Sequence, residues 1–190
     1  MATPIELIHH GRPFLLTRPS VASGQAFLDF LEEFKAHGEA HFVFEQILEA
    51  EGLPAYVAWL EQGERGELSA AGYVPWSAWW LVDARDGTIV GVSSLRHELD
   101  ASLRERGGHV GYRVRPSRRR EGLGSLLLRE MARLAARRGI DPLMVVCHDD
   151  NPASAGVIAH CGGVEYDSVQ DGARRLQRFT LATNDPSRPA

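Results

Sequence analysis

The apolar positions change period several times along the chain, and each change marks an element. Leu15-Leu16-Thr17-Arg18 is a short strand candidate, and Phe27, Phe30, Leu31 and Phe34 then recur at helical spacing behind a serine cap at Ser20 or Ser23. A second helical stretch carries Phe44, Ile47 and Leu48, breaks at Gly52 and resumes after Pro54 with Tyr56, Val57, Trp59 and Leu60. Trp79 to Val82 and Thr88 to Val92 are two β-forming runs around the Asp86-Gly87 turn signal, which predicts an antiparallel hairpin. His109 to Val114 alternates His, Gly and Arg against Val, Tyr and Val, the period of a strand, and Pro116 ends it.

From Gly122 to Arg138 the residues Leu123, Leu126, Leu127, Met131 and Leu134 form one stripe of a helix that Gly139 terminates. Leu143 to Cys147 is uninterrupted and apolar, as in a strand covered on both faces. Asn151-Pro152 then opens a short helix running to Gly162. Two further strands are predicted between Val164 and Leu181, around Asp171-Gly172. Strands, one strand-helix-strand crossover and a final antiparallel pair predict an α/β sandwich, a mixed sheet with helices on its faces. Residues 1–12 read as an N-terminal tail, 13–182 as one domain and 183–190 as a polar, proline-containing C-terminal tail.

Composition changes this picture little. A chain of 190 residues with 44% hydrophobic content suits one soluble domain, and a formal net charge of −4 predicts no whole-molecule attraction to nucleic acid or membrane. The distribution is more informative, because Lys35 is the sole lysine and nine arginines fall between Arg113 and Arg138. Cys147 and Cys161 have no CxxC spacing and no ligand quartet, so reduced core thiols, a cytoplasmic location and no metal site are expected. Cys147-His148 with two following aspartates does not alter this, since adjacent strand residues point to opposite faces. Neither a signal peptide nor a membrane span is read.

The segment with chemical content is Arg115-Pro116-Ser117-Arg118-Arg119-Arg120-Glu121 followed by Gly122-Leu123-Gly124, between a strand and a helix. A helix start leaves N–H groups without intrahelical partners at the positive end of the peptide dipoles, and glycines let a pyrophosphate come close to the backbone. GxxxxGK[ST] and GxGxxG are both absent, which argues against a nucleoside triphosphatase or a dinucleotide enzyme. The bland reading of a solvated helix face suits Arg129, Arg133, Arg137 and Arg138, whereas phosphate contact is favoured for Arg118 to Arg120.

Arg119-x-x-Gly122-x-Gly124, preceded by Val114-Arg115-Pro116, resembles the Q/R-x-x-G-x-G/A signature of the GNAT acyltransferases. Asn151, Ser154 and Gly162-Gly163 resemble that family's N-x-x-A/S…G-F segment, with Gly163 in place of the aromatic. Arg96-His97-Glu98-Leu99 and Gly107-Gly108-His109-Val110-Gly111-Tyr112 extend the likeness over most of residues 15–182. The resemblance implies a mixed, mostly antiparallel central sheet flanked by helices on both faces. It implies N-acetyl transfer from acetyl-CoA to a primary amine, by direct transfer in a ternary complex. Pantetheine would pair with the backbone of Tyr112, Arg113 and Val114. The pyrophosphate would rest on Arg119, Arg120, Glu121, Gly122, Leu123, Gly124 and Ser125, with Asn151 and Ser154 nearby. The Val114 N–H would meet the thioester carbonyl.

An amine with a pKa near 10 must lose a proton before attack, and Glu98, His97 and His109 stand at strand ends where they could look into the central crevice. Glu98 is the preferred base; its plainer alternative is a pairing with a loop arginine such as Arg104. The family's tyrosine acid aligns with Ile158, which leaves Tyr166 or Ser154, water, or departure of coenzyme A as thiolate. The missing tyrosine motivates a second reading, a non-catalytic acyl-CoA-binding module. A nucleic-acid binder using the arginines is the weakest. Trp76, Trp79 and Trp80 are expected to serve packing first. The acceptor could be a small molecule or a peptide amine, and a homodimer is left open.

Overall fold

The computed structural model describes residues 3–39 and 45–183. Five strands form one antiparallel sheet in chain order: β1 (Ile5–His9), β2 (Arg12–Thr17), β3 (Trp76–Asp83), β4 (Ile89–Arg96) and β5 (Val110–Val114). Three more form a second sheet in the order β6 (Leu143–His148), β8 (Arg174–Leu181), β7 (Val164–Asp171). The helices are α1 (Gly24–Ala36), α2 (Glu45–Glu64), α3 (Leu123–Arg137) and α4 (Pro152–His160). This is the mixed, mostly antiparallel architecture expected from the sequence.

Alternation along the strands feeds two cores. Phe14, Leu16, Leu81, Val90 and Leu95 pack with Leu123, Leu127, Leu128 and Met131 of α3 on one face. Trp80, Val82 and Ile89 pack with Phe27, Phe30, Leu31 and Phe34 of α1 on the other. Each such side chain, fully buried, contributes about 1.5–3 kcal/mol, so the two amphipathic helices hold the sheet between them. α2 is broken as expected: Gly52 lies at φ 80, ψ 176 just before Pro54. Phe44 and residues 184–190 lie outside the described residues.

The N-terminal segment corrects the expectation of a tail over residues 1–12. Ile5 to His9 pair with Arg12 to Leu16, and Leu7 joins the α3-side core. The signal was weak because Glu6 and the two histidines interrupt the apolar run, whereas an edge strand needs only one covered face.

The crossover β5–α3–β6 makes β5 and β6 parallel neighbours, but they touch at one end only. The His109 N–H donates to Met144 O at 2.8 Å, and the Met144 N–H donates to His109 Nδ1 at 2.9 Å. Gly108 makes this junction possible: it has φ 63, and a Cβ there would lie 2.8 Å from Met144 O. Beyond the junction the strands diverge, and among the described strands none pairs with the outer edge of the C-terminal half of β5. On the other side of β5, Arg115 N–H donates to Val90 O. The alternation of an antiparallel ladder therefore turns the peptide groups of Tyr112 and Val114 away from β4, toward the opening.

Asp83, at the end of β3, is fully buried and accepts from Arg85 at 2.9 and 2.7 Å and from Arg118 at 3.2 Å. Those bonds, from Arg85 foremost, outweigh burial and hold its carboxyl far below the usual range. Asp83→Asn keeps the size and removes the charge; the expected loss is about 1–3 kcal/mol of stability, read as a lower urea midpoint at pH 7.

Candidate active site

The turn after β5 is shaped by ion pairs that face away from the opening. Glu33 of α1 accepts from Arg115 Nε and, at 2.6 Å, from the Ser117 N–H. Burial opposes its ionisation, but Ser117 and Arg115 outweigh that and keep its pKa low. Arg118 donates to Glu121 at 2.8 and 3.0 Å as well as to Asp83, Arg12 donates to Glu121 at 2.8 Å, and His9 Nε2 bonds the Glu121 carbonyl at 2.9 Å. Arg118 is thus a brace inside the loop rather than a phosphate contact. The Glu121 side chain is likewise engaged behind the loop and does not line the cleft, so only its backbone is on offer. Sequence spacing could not separate these roles, because the partners that fix the loop from behind are distant in sequence: Glu33 of α1, Asp83 of β3, and Arg12 and His9 of the N-terminal hairpin.

In front of the loop a cleft of about 940 Å³ opens between the N-termini of α3 and α4 and the free edge of β5. Tyr112, Arg113, Val114, Arg119, Arg120, Gly122, Leu123, Gly124, Ser125, Asn151 and Ser154 all line it, so most of the expected cofactor residues converge here. Gly122 caps α3 at φ 77 without a side-chain acceptor, which leaves the first-turn N–H groups of Leu123, Gly124 and Ser125 without a side-chain cap among the described residues. Arg120, itself at φ 69, makes no ion pair among the described residues, whereas Arg119 is paired with Glu39 at 2.6 Å. Uncapped N–H groups, an unpaired guanidinium and outward-turned strand peptides are the donor set that a diphosphate followed by an amide-bearing arm needs.

Asn151 caps α4, accepting the Ser154 N–H at 3.0 Å. The Tyr112 hydroxyl lies 3.0 Å from Ser154 Oγ, and burial pushes the phenol up to about 12, so it is protonated at neutral pH. Ile158 is completely buried, and a Cβ at Gly163 would meet its Cγ2 at 2.4 Å, so neither position could carry the aromatic of the family pattern without repacking. Tyr166 is half exposed on β7 and lines neither cavity.

A second cavity, of about 480 Å³, lies on the opposite side of β5 beneath α2. Trp76, Trp79 and Trp80 are buried, as packing requires, and also line it; Tyr112 and Arg113 are common to both cavities. Glu98, His97 and His109 do not meet the expectation of looking into the crevice, since none lines either cavity. Glu98 is exposed to solvent. His97 Nε2 bonds Ser77 Oγ at 2.6 Å, and the His109 Nδ1 lone pair is occupied by the Met144 N–H. The carboxylate that does line the second cavity is Asp100, two positions beyond Glu98, where it also accepts the Leu103 N–H at 2.7 Å. The reversal of the chain after β4 decides this, and no local pattern signals it.

Among the described residues no cluster of His, Cys, Asp and Glu could hold a metal, and no helix is long and apolar enough to cross a membrane. Cys147 and Cys161 are buried and are not joined in a disulfide.

Burial, with Arg138 and Arg18 nearby, lowers His97 to about 4. A histidine neutral in the fold and titrating near 6.5 when unfolded leaves the unfolded state with more bound protons below pH 6.5. Stability should therefore fall from about pH 6.5 toward 4, and the drop in urea midpoint between pH 7 and 5 should be smaller in His97→Gln than in the wild type.

The family model of the Acetyltransferase (GNAT) family matches residues 26–162. Comparison with curated protein sequences finds no match. Among solved structures, Mycobacterium smegmatis RimJ in complex with CoA-disulfide is similar with a TM-score of 0.67 at 16% identity, covering 97% of this chain and 89% of that one. The ribosomal-protein-S5-alanine acetyltransferase from Vibrio fischeri has a TM-score of 0.67 at 17% identity, covering 95% and 98%. Microcin C7 self immunity acetyltransferase MccE, in complex with acetyl-CoA and AMP, has a TM-score of 0.64 at 12% identity, covering 89% and 92%. These identities speak to the fold alone. The family match spans well over half of the chain and includes both the uncapped α3 turn and the Asn151 cap, and the protein therefore belongs to the GNAT acetyltransferase family, as an acyl-CoA-dependent N-acyltransferase.

Proposed function

We propose that the protein transfers the acetyl group of acetyl-CoA to a primary amine directly, with both substrates bound at once. The observation that carries this reading is the meeting of two cavities at one strand: the phosphate-shaped cleft and the aromatic cavity share Tyr112 and Arg113 of β5. Two binding spaces that meet at one strand permit transfer without a covalent enzyme intermediate.

Acetyl-CoA supplies a thioester carbonyl already activated toward an amine. The N–H groups of Leu123, Gly124 and Ser125, with Arg119 and Arg120, bind its diphosphate. The outward peptide groups of Tyr112 and Val114 align the pantetheine arm, and the Val114 N–H donates to the carbonyl oxygen. The Tyr112 phenol, held by Ser154, donates a proton to the departing sulfur and replaces the acid missing at Ile158. Asp100 takes the proton of the incoming ammonium through solvent, a role for which Glu98 stands outside the cavity.

Calorimetric titration of acetyl-CoA tests the cofactor site. Arg120→Glu puts a carboxylate where the unpaired guanidinium stands and should weaken binding by about ten-fold or more without lowering stability. Tyr112→Phe keeps the strand and the ring; it should lower kcat on the order of 100-fold while changing acetyl-CoA affinity little. Tight acetyl-CoA binding without amine-dependent thiol release would overturn the transferase reading in favour of a binding module.

A further inference from the structure

The aromatic cavity owes its existence to one row of small residues. Across the sheet the register aligns Ala78 of β3 with Ser94 of β4 and Gly111 of β5. The rows on either side are bulky: Trp76 pairs with Arg96, and Trp80 with Val92 and then Arg113. Side chains two apart on a strand share a face, so the small row is a trench between two ridges. α2 roofs it with Tyr56 and Trp59. Tyr73 closes one end: its ring lies 5.9 Å from both Trp59 and Trp76, and Trp59 and Trp76 are 4.7 Å apart.

The lining selects by shape and by charge. Indole and phenol faces favour a ring or a bulky apolar group and attract one adjacent ammonium. A few polar groups also reach the cavity: Ser94 and Ser102 line it, the Ser93 hydroxyl is donated to Gly111 O at 3.0 Å, and the buried Trp79 indole N–H has no acceptor among the described residues. Arg96, mostly buried and donating to Gly108 O at 2.8 Å, and Arg113 bring two positive charges to the lining. Asp100 brings one negative charge, which already acts on Arg96, and it is the sole acidic residue among the described lining residues, so the cavity can match at most one ammonium. A second one would face the guanidiniums.

We propose that the acceptor is a monocationic amine carried on an aromatic or bulky apolar body, and that polyamines are excluded. This rests on the reading that the aromatic cavity is the amine site. Both a free arylalkylamine and a peptide whose first residue is aromatic present this chemistry.

The test is calorimetric titration of phenethylamine, a phenylalanyl-initiated peptide and spermidine into the protein, alone and saturated with coenzyme A. Phenethylamine or the peptide should bind about ten-fold or more tightly than spermidine. The tighter of the two identifies the source, and either supports the proposal. Ser94→Leu fills the trench and should weaken the preferred aromatic amine by about ten-fold or more, with acetyl-CoA binding unchanged as the check on folding. Trp59→Ala, which removes part of the roof, should weaken it in the same direction and serves if Ser94→Leu does not fold. Spermidine binding as tightly as the aromatic amines, or aromatic binding indifferent to both variants, would overturn the proposal. Failure of the transferase reading appears separately, as absent acetyl-CoA binding in the wild type or as binding without amine-dependent thiol release, and leaves the amine titration without coenzyme A interpretable.

Discussion

The free edge of β5 is the constraint on which the site depends. A parallel neighbour, β6, is delivered by the crossover helix, yet hydrogen bonding stops at His109 and Met144 and the strands part. Backbone N–H and C=O groups at the centre of a protein are costly to leave without partners. The opening past Tyr112 therefore favours a ligand that presents amide groups of its own. Gly108 sets where the sheets join, and the joint sets where the cleft begins.

A second layer holds the cleft's floor in place. The turn after β5 has four positive side chains in six residues, Arg115 and Arg118 to Arg120, with Arg113 just before them, but their charges have different destinations. Arg115 is turned back to Glu33 and Arg118 to Asp83 and Glu121. Those carboxylates neutralise the loop from behind, while Arg119 and Arg120 face the cleft with the uncapped turn of α3. Of these two, Arg119 is shared with Glu39, so Arg120 and the backbone donors carry the strongest unmet demand for an anion. The N-terminal hairpin takes part through Arg12 and His9, which gives that edge strand a reason to exist beyond covering the core.

Much of the fold was legible because period and burial agree: the α3 stripe, the β3–β4 hairpin and the apolar β6 each announce their own covered faces. The candidate anion site was legible for a similar reason, since a strand, a glycine-bearing turn and a helix start are contiguous in the chain. The proposed proton-transfer groups were not. Glu98 and the histidines sit at strand ends in sequence, but the turn after β4 sends Glu98 to solvent, and His97 and His109 are consumed by Ser77 and Met144. Tyr112 was expected to serve through its backbone, and the contact of its hydroxyl with Ser154, 42 positions away, was not legible.

The sequence by itself determined what is local: most of the helices and strands, where glycines open a helix N-terminus, and the family pattern around Gly122 and Asn151. Tertiary structure alone decided what depends on register and on reversals between distant segments. It assigned which arginines brace and which receive, it placed Ala78, Ser94 and Gly111 in one trench, and it set Tyr112 against Ser154. The physical reason is that backbone donors at a helix end exist wherever the helix starts, whereas a cavity or a proton path exists only where side chains from several elements are brought within a few ångströms of one another.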